Sequence, residues 1–423
     1  MRQRIIWTVL LVALGAVSAV RAAETESKLP PGWLPVAHLD AATPWRDVGK
    51  LGDRIHLYLP EGDKPVRGIF VCYVFHSGDP REVVRLWRFA LVAVPAPFEY
   101  DLGFHDRRNG RPKKTGLPKG DMSVLLRYLD GAAKETGRPE LAVAPIVGWL
   151  GQNGAVMCND LYQRAPDRVL AWADAWYGEW LKHPDLIAHV PAASAWEFSN
   201  ERQRREEREK ALPALADKFT PVPDLHCWAT TYGFGHGIYS KWNFFMGFLD
   251  RCIAARLPAE TPPAGQPTKL RPVVREQGWV ADFNEIGQWV AIAPYAEAKG
   301  MVSPTWLPDA YAAWMYRSYH SAQPDLRITA PQMEYRRGGG KGYGLGYGNE
   351  LAADAPLKFA AETTGSYAKI EFHDGDKIVG TAAAAPWEVE GVKLPHGLHA
   401  LFAVGVTADG KRTASRPAFT VVQ

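Results

Sequence analysis

Residues 148–160 read GWLGQNGAVMCND. An apolar run enters a glycine-rich corner, and a helix-forming run leaves it. A corner this tight strains its central residue, and only small neighbours fit beside it. Gly151, Gly154 and Ala155 meet that demand around Asn153. A serine, cysteine or aspartate in such a place is a nucleophile. An asparagine is not: its amide nitrogen lone pair is delocalised, and no histidine can activate it as it activates a hydroxyl. Gln152 and Asn153 still supply polar donors and acceptors there.

The elements that must hold this corner are legible on either side of it. The stretch RIHLYLP (54–60) alternates apolar and polar and predicts an edge-type strand. RGIFVCYVF (67–75) is a continuous β-rich run, as a strand buried on both faces would be. FALVAVPAPF (89–98) is another, ended by prolines. ELAVAPIVGWL (140–150), RVLAWADAWYG (168–178), HVPAASAWEFS (189–199) and LHCWATTYG (225–233) predict further strands. Helical periodicity runs through 121–137, stopping at a glycine, and through 154–166, closed by a proline. A charged amphipathic stretch covers 200–219, and 239–257 has a broad apolar face. Strands alternating with helices predict a mostly parallel sheet wrapped by helices. Residues 258–335 are proline- and tryptophan-rich and weakly periodic except for 307–322, and read as an extension packed on that core.

The glycine-dense RRGGGKGYGLGYGN (336–349) cannot hold a helix or a strong strand, and the break is read as a linker over 336–355. Beyond it, 356–423 consists of short alternating runs separated by Asp-Gly turns, the pattern of a small all-β sandwich. At the other end, Arg2 and Arg4 precede the apolar IIWTVLLVALGAVSAV, and VRA closes at Ala22. Residues 1–22 therefore read as a secretory signal, which predicts a secreted or periplasmic protein with no membrane span after signal removal.

A chain of 423 residues exceeds one ordinary core, so two domains are expected. Hydrophobic content of 47% with 22% charged residues describes a globular protein. A net charge of +3 argues against a nucleic-acid partner, and the basic RRNGRPKKTG (107–116) reads as a solvated loop. The four cysteines, Cys72, Cys158, Cys227 and Cys252, sit in apolar runs and read as buried thiols. His76, His105, His226 and His236 are dispersed without metal-ligand spacing, so neither metal nor cofactor is expected.

The corner, the turn LYQRAPDRVLAW after it, and the order of elements over 54–257 resemble the α/β-hydrolase superfamily, most closely its secreted esterase-like members. The segment FHDGDKIVGT…APWEVEGVKLPHGLHALFAVGVTADG resembles the immunoglobulin-like modules appended to secreted bacterial enzymes. The fold implied is an α/β-hydrolase-like domain (23–335, with the extension at about 258–335) followed by an immunoglobulin-like β-sandwich. By that resemblance Asn153 holds the nucleophile position and Gly154 offers one oxyanion-hole N–H. The loop His76-Ser77-Gly78-Asp79 matches the one that supplies the second. His236, flanked by glycines, matches the histidine; Glu201, or else Glu197, matches the acid.

Three readings of Asn153 follow. The corner has lost its chemistry and the old pocket binds a ligand. Or Asn153 holds a water or a substrate oxygen while His236, steadied by Glu201, acts as general base. Or Asn153, which precedes a glycine, deamidates to an aspartate nucleophile. The substrate or ligand implied is a small-molecule or glycan-linked ester. Trp176, Tyr177 and Trp180 follow a strand's C-terminal end, where ligands of open α/β sheets bind, and equally suit packing of the extension. The C-terminal module reads as a spacer on its glycine-rich tether.

Overall fold

The computed structural model describes residues 33–34, 56–60, 62, 64–73, 81–94, 122–150, 154–174, 184–197, 225–231, 239–283, 289–301, 304–323, 325–331 and 351–423. Its first sheet is built from β1 (Trp33–Leu34), β2 (His56–Tyr58), β3 (Gly68–Tyr73), β4 (Phe89–Val94), β5 (Ile146–Leu150), β6 (Val169–Asp174), β7 (Ala192–Glu197) and β8 (His226–Thr231). The spatial order is β1-β2-β4-β3-β5-β6-β7-β8. β1 and β2 run antiparallel to their neighbours; β3 to β8 are all parallel. This is the α/β-hydrolase-like sheet expected from the sequence.

The connections are helical: α1 (Arg81–Trp87), α2 (Ser123–Thr136), α3 (Gly154–Arg164), α4 (Pro184–His189) and, after β8, α5 (Tyr239–Arg256). Alternation along each strand splits the core in two. Phe70 and Cys72 of β3 and Trp149 of β5 pack with Val83, Val84 and Trp87 of α1 and with the Phe244–Leu249 stretch of α5. Ile69, Val71, Ile146 and Leu150 face the other way, onto Leu125 and Leu129 of α2 and Met157 and Leu161 of α3. Burial on both faces is why β3 and β5 carry no charged side chain.

Two local expectations change. Residues 140–150 are not one strand: Pro139–Ala142 form a 3-10 turn, and β5 begins only at Ile146. The cause is Glu140, a buried carboxylate that accepts from the Val66 N–H at 3.2 Å and from Arg138 Nε at 2.7 Å. A strand could not satisfy it there. Helix α1 gave no periodic signal because seven residues are fewer than two full turns.

In the extension, β9 (Trp279–Asp282) is flanked by β10 (Ile292–Pro294) and β11 (Pro304–Leu307), and α6 (Ala310–Ser321) follows. Asp309 caps α6 by accepting from the Ala312 N–H at 2.8 Å. The sandwich opposes a sheet of β12 (Leu326–Ala330), β13 (Leu357–Thr363) and β16 (Glu388–Val392) to one of β14 (Lys369–Asp374), β15 (Lys377–Ala382), β17 (Gly397–Val406), β18 (Arg412–Ala414) and β19 (Ala418–Val422). Phe359 and Leu326 meet Ile370, Phe372 and Leu401 between the sheets. Strand β12 pairs with β13 from the far side of the glycine-rich stretch, which itself lies outside the described residues.

The module packs directly on the rest of the molecule. Leu398, Ala400, Phe419 and Val421 belong to the same core cluster as α1, α5 and α6. At Gly247 of α5 an added Cβ would lie 2.5 Å from Met315 Sδ and 2.8 Å from Phe419 Cε1, so helix, extension and sandwich meet there in close contact.

Candidate active site at the strand–helix corner

Leu150 ends β5 and Gly154 begins α3, so three residues separate strand from helix, and Asn153 immediately precedes the first helical residue in the sequence. Gly151, Gln152 and Asn153 themselves lie outside the described residues. Why glycine is demanded on either side is visible in the packing. A Cβ on Gly148 would stand 2.5 Å from the Trp172 indole, and one on Gly154 would stand 2.6 Å from Asp174 Cβ and 3.2 Å from Trp172 Nε1. Strand β5 and helix α3 therefore lie flush against β6, with Gly154 fully in the interior.

That contact reveals a carboxylate that sequence reasoning passed over. Asp174 is the last residue of β6, in register with Leu150 on one side and Ser194 on the other, and it is completely buried. Its Oδ2 lies 3.5 Å from where a Gly154 Cβ would be. The signal available was a lone acid closing the apolar run VLAWAD at the sheet end where the corner lies. Cys158, one turn into α3, is buried and its thiol is pushed well up, by burial first and then by the Asp174 charge. That removes it as a thiolate nucleophile. Cys72, Cys227 and Cys252 are likewise buried and free.

The remaining expected residues belong to segments that leave the same end of the sheet. His76, Ser77 and Gly78 lie between β3 and α1, Glu201 between β7 and β8, and His236 between β8 and α5; all are outside the described residues. Glu197 is the last residue of β7, paired with Thr231, which sets its backbone at that end. Trp176, Tyr177 and Trp180 follow β6 and are also outside.

A serine–histidine pair does occur in the described core, and it is not a catalytic one. Ser194 Oγ and His226 Nε2 are 2.8 Å apart, both buried, with His226 stacked on Trp228 at 4.2 Å. Burial lowers the His226 pKa to about 3, so the ring stays neutral and takes no proton at working pH. His226 opens β8, at the end of that strand opposite the loop bearing His236.

No protein-family model matches the sequence, and no curated protein does. Among solved structures, a CIB-like hydrolase from Thermoplasma acidophilum is 16% identical, with 46% of this chain and 92% of that one covered at a TM-score of 0.28. LpqC, a poly(3-hydroxybutyrate) depolymerase from Bordetella parapertussis, is 15% identical over 48% of this chain and 84% of its own, at a TM-score of 0.26. The fibronectin(III)-like modules of Clostridium thermocellum CbhA are 22% identical over 23% of this chain and 93% of theirs, at 0.19. The fold assignment rests on the strand order and directions, not on these partial overlaps.

Proposed function

We propose that this chain is an exported α/β-hydrolase-fold protein of esterase-type ancestry that acts on an ester in small-molecule or glycan-linked material. The observation that supports it is the corner: glycines are kept where β5, α3 and β6 touch, and Asn153 stands directly before α3. Residues 1–22 serve as the export signal, 23–335 as the hydrolase-like unit except for β12, and 356–423 together with β12 as an appended module. In this reading His236 is the general base, Glu201 holds its tautomer, and Asn153 holds the attacking water or the substrate oxygen. Gly154, with the loop His76-Ser77-Gly78, donates to the developing oxyanion. No covalent intermediate forms.

The chemistry of Asn153 favours a second reading, a pseudo-hydrolase that binds a glycan or other ligand in the same pocket. Turnover of a panel of activated acyl and sugar esters by the mature protein, beside His236→Ala and Asn153→Ser, separates the two. Hydrolysis that disappears in His236→Ala supports the water mechanism. Negligible rates in the native protein and in His236→Ala, with activity and phosphonate labelling gained by Asn153→Ser, support the binding reading.

A further inference from the structure

The sandwich meets the α/β core along a polar seam at the end of the sheet opposite the corner. Arg67, just before β3, and Leu257, just after α5, both line it. His399 of β17 sits in this seam with Nδ1 2.8 Å from Asp374 Oδ2 and Nε2 2.9 Å from the Pro395 carbonyl oxygen. A carbonyl only accepts, so Nε2 carries a proton. The other Asp374 oxygen, Oδ1, accepts from the Tyr311 hydroxyl at 2.6 Å, and that hydroxyl oxygen accepts from the Ala400 N–H at 2.7 Å. One proton then remains for the contact between Nδ1 and Oδ2. Imidazole is the stronger base of the pair and takes it. Both ring nitrogens donate, and His399 is an imidazolium.

We propose that His399 is a pH-dependent latch that, by holding Asp374, fastens the sandwich to α6 of the extension. Charged, it donates to Oδ2 of Asp374 on β14 and so steadies the carboxylate whose Oδ1 accepts from Tyr311 of α6, the hydroxyl that in turn accepts from Ala400 of β17. Neutral, it must give up one of its two acceptors, Asp374 Oδ2 in the buried part of the seam or the carbonyl of Pro395, an exposed residue. Tyr311 has no room to compensate, because its ring lies against Gly375, where an added Cβ would come within 2.1 Å. A cavity of about 600 Å³ along the seam gives water and protons a route to the latch.

The other charges facing the seam come from each packed element. Helix α5 contributes Asp250 and Arg251, and the start of α6 contributes Asp309. The β14–β15 turn adds Asp376 and Lys377, the loop before β17 adds His396, and Arg67 stands at the rim. Arg251 and Asp309 neutralise one another at 2.7 Å, and Asp250 accepts from Trp87 Nε1 at 2.7 Å. Burial pulls His399 down, but the hydrogen bond and charge of Asp374, the Pro395 carbonyl and Asp250 outweigh it, so its pKa lies above the ordinary value. A histidine raised in the folded state contributes fully below its unfolded pKa of about 6.5, and the contribution is lost as pH rises through the folded pKa. The latch is closed at acid and neutral pH and released on the alkaline side.

The test is an NMR titration of the His399 ring in the full chain from about pH 6 to about pH 10. Exchange of the Ala400 N–H is followed alongside it and corrected for base catalysis. The same measurements are made on His399→Gln and Asp374→Asn. The latch predicts a His399 midpoint above about 6.5, with Ala400 protection falling over the same range. It also predicts no such fall in His399→Gln and a lowered midpoint in Asp374→Asn. A wild-type midpoint at or below about 6.5 overturns it, as does equal pH dependence of Ala400 protection in His399→Gln. Should the variants not fold, the wild-type midpoint decides alone.

Discussion

Gly154 carries more of the corner's geometry than its lack of a side chain suggests. Its Cα faces Asp174 Cβ so closely that even one methyl would overlap it at 2.6 Å, and the contact is with the base of a side chain on a central strand, not a flexible tip. Gly154→Ala should therefore destabilise the fold by about 1–3 kcal/mol, since the strain must be taken up by shifting α3 or β6. Urea denaturation measures it, and a change below about 0.5 kcal/mol would mean that the corner is looser than the packing indicates. The same crowding bears on deamidation, which needs the Gly154 nitrogen to swing onto the Asn153 amide; a glycine buried at a helix start is poorly placed to do so. The corner was legible because small residues flanking a polar one are a local pattern. Asp174 was harder to find, because its contact with Gly154 runs from strand β6 to helix α3, twenty positions apart, and the acid closing VLAWAD was the one local signal.

At the scale of elements, legibility followed the source of the stabilisation. Strands β3 and β5 are buried on both faces and had to be continuous apolar runs, so their sequences announce them. Helix α2 is stopped by Gly137, whose φ of 65° is the left-handed cap conformation and whose N–H donates to the Ala133 carbonyl. Gly137→Ala should cost about 1 kcal/mol with no other change, because space around the Cβ position is open and only the backbone conformation is penalised. Thermal denaturation reads this directly; an unchanged midpoint would mean the helix end relaxes without loss. The extension was harder to read. Strands β9, β10 and β11 have three or four residues each, too few to show a period. Strand β12 is assigned by its partner β13, on the other side of the glycine-rich break that composition alone marks as a boundary.

Taken whole, the molecule joins two architectures through one core. Phe419 and Val421 of β19 and Leu398 and Ala400 of β17 bury against α1, α5 and α6, in the cluster that also contains Phe70 and Trp149 of the parallel sheet. Independent domains on a tether would each close their own core and unfold separately. Here, removing the sandwich uncovers the apolar side of α5 and α6, including Met315 and Phe244, and the cost of that exposure couples the two units. Differential scanning calorimetry of the full chain at neutral pH should therefore show a single transition whose calorimetric and van't Hoff enthalpies agree. A chain ending at residue 323 should melt lower and bind a hydrophobic dye before it unfolds. Two well-separated transitions in the full chain, with the truncated protein melting where the first of them does, would mean that the shared cluster is a contact between independent folds. A single transition in which alkaline pH lowers the midpoint of the full chain but not of His399→Gln would tie that coupling to the latch in the seam.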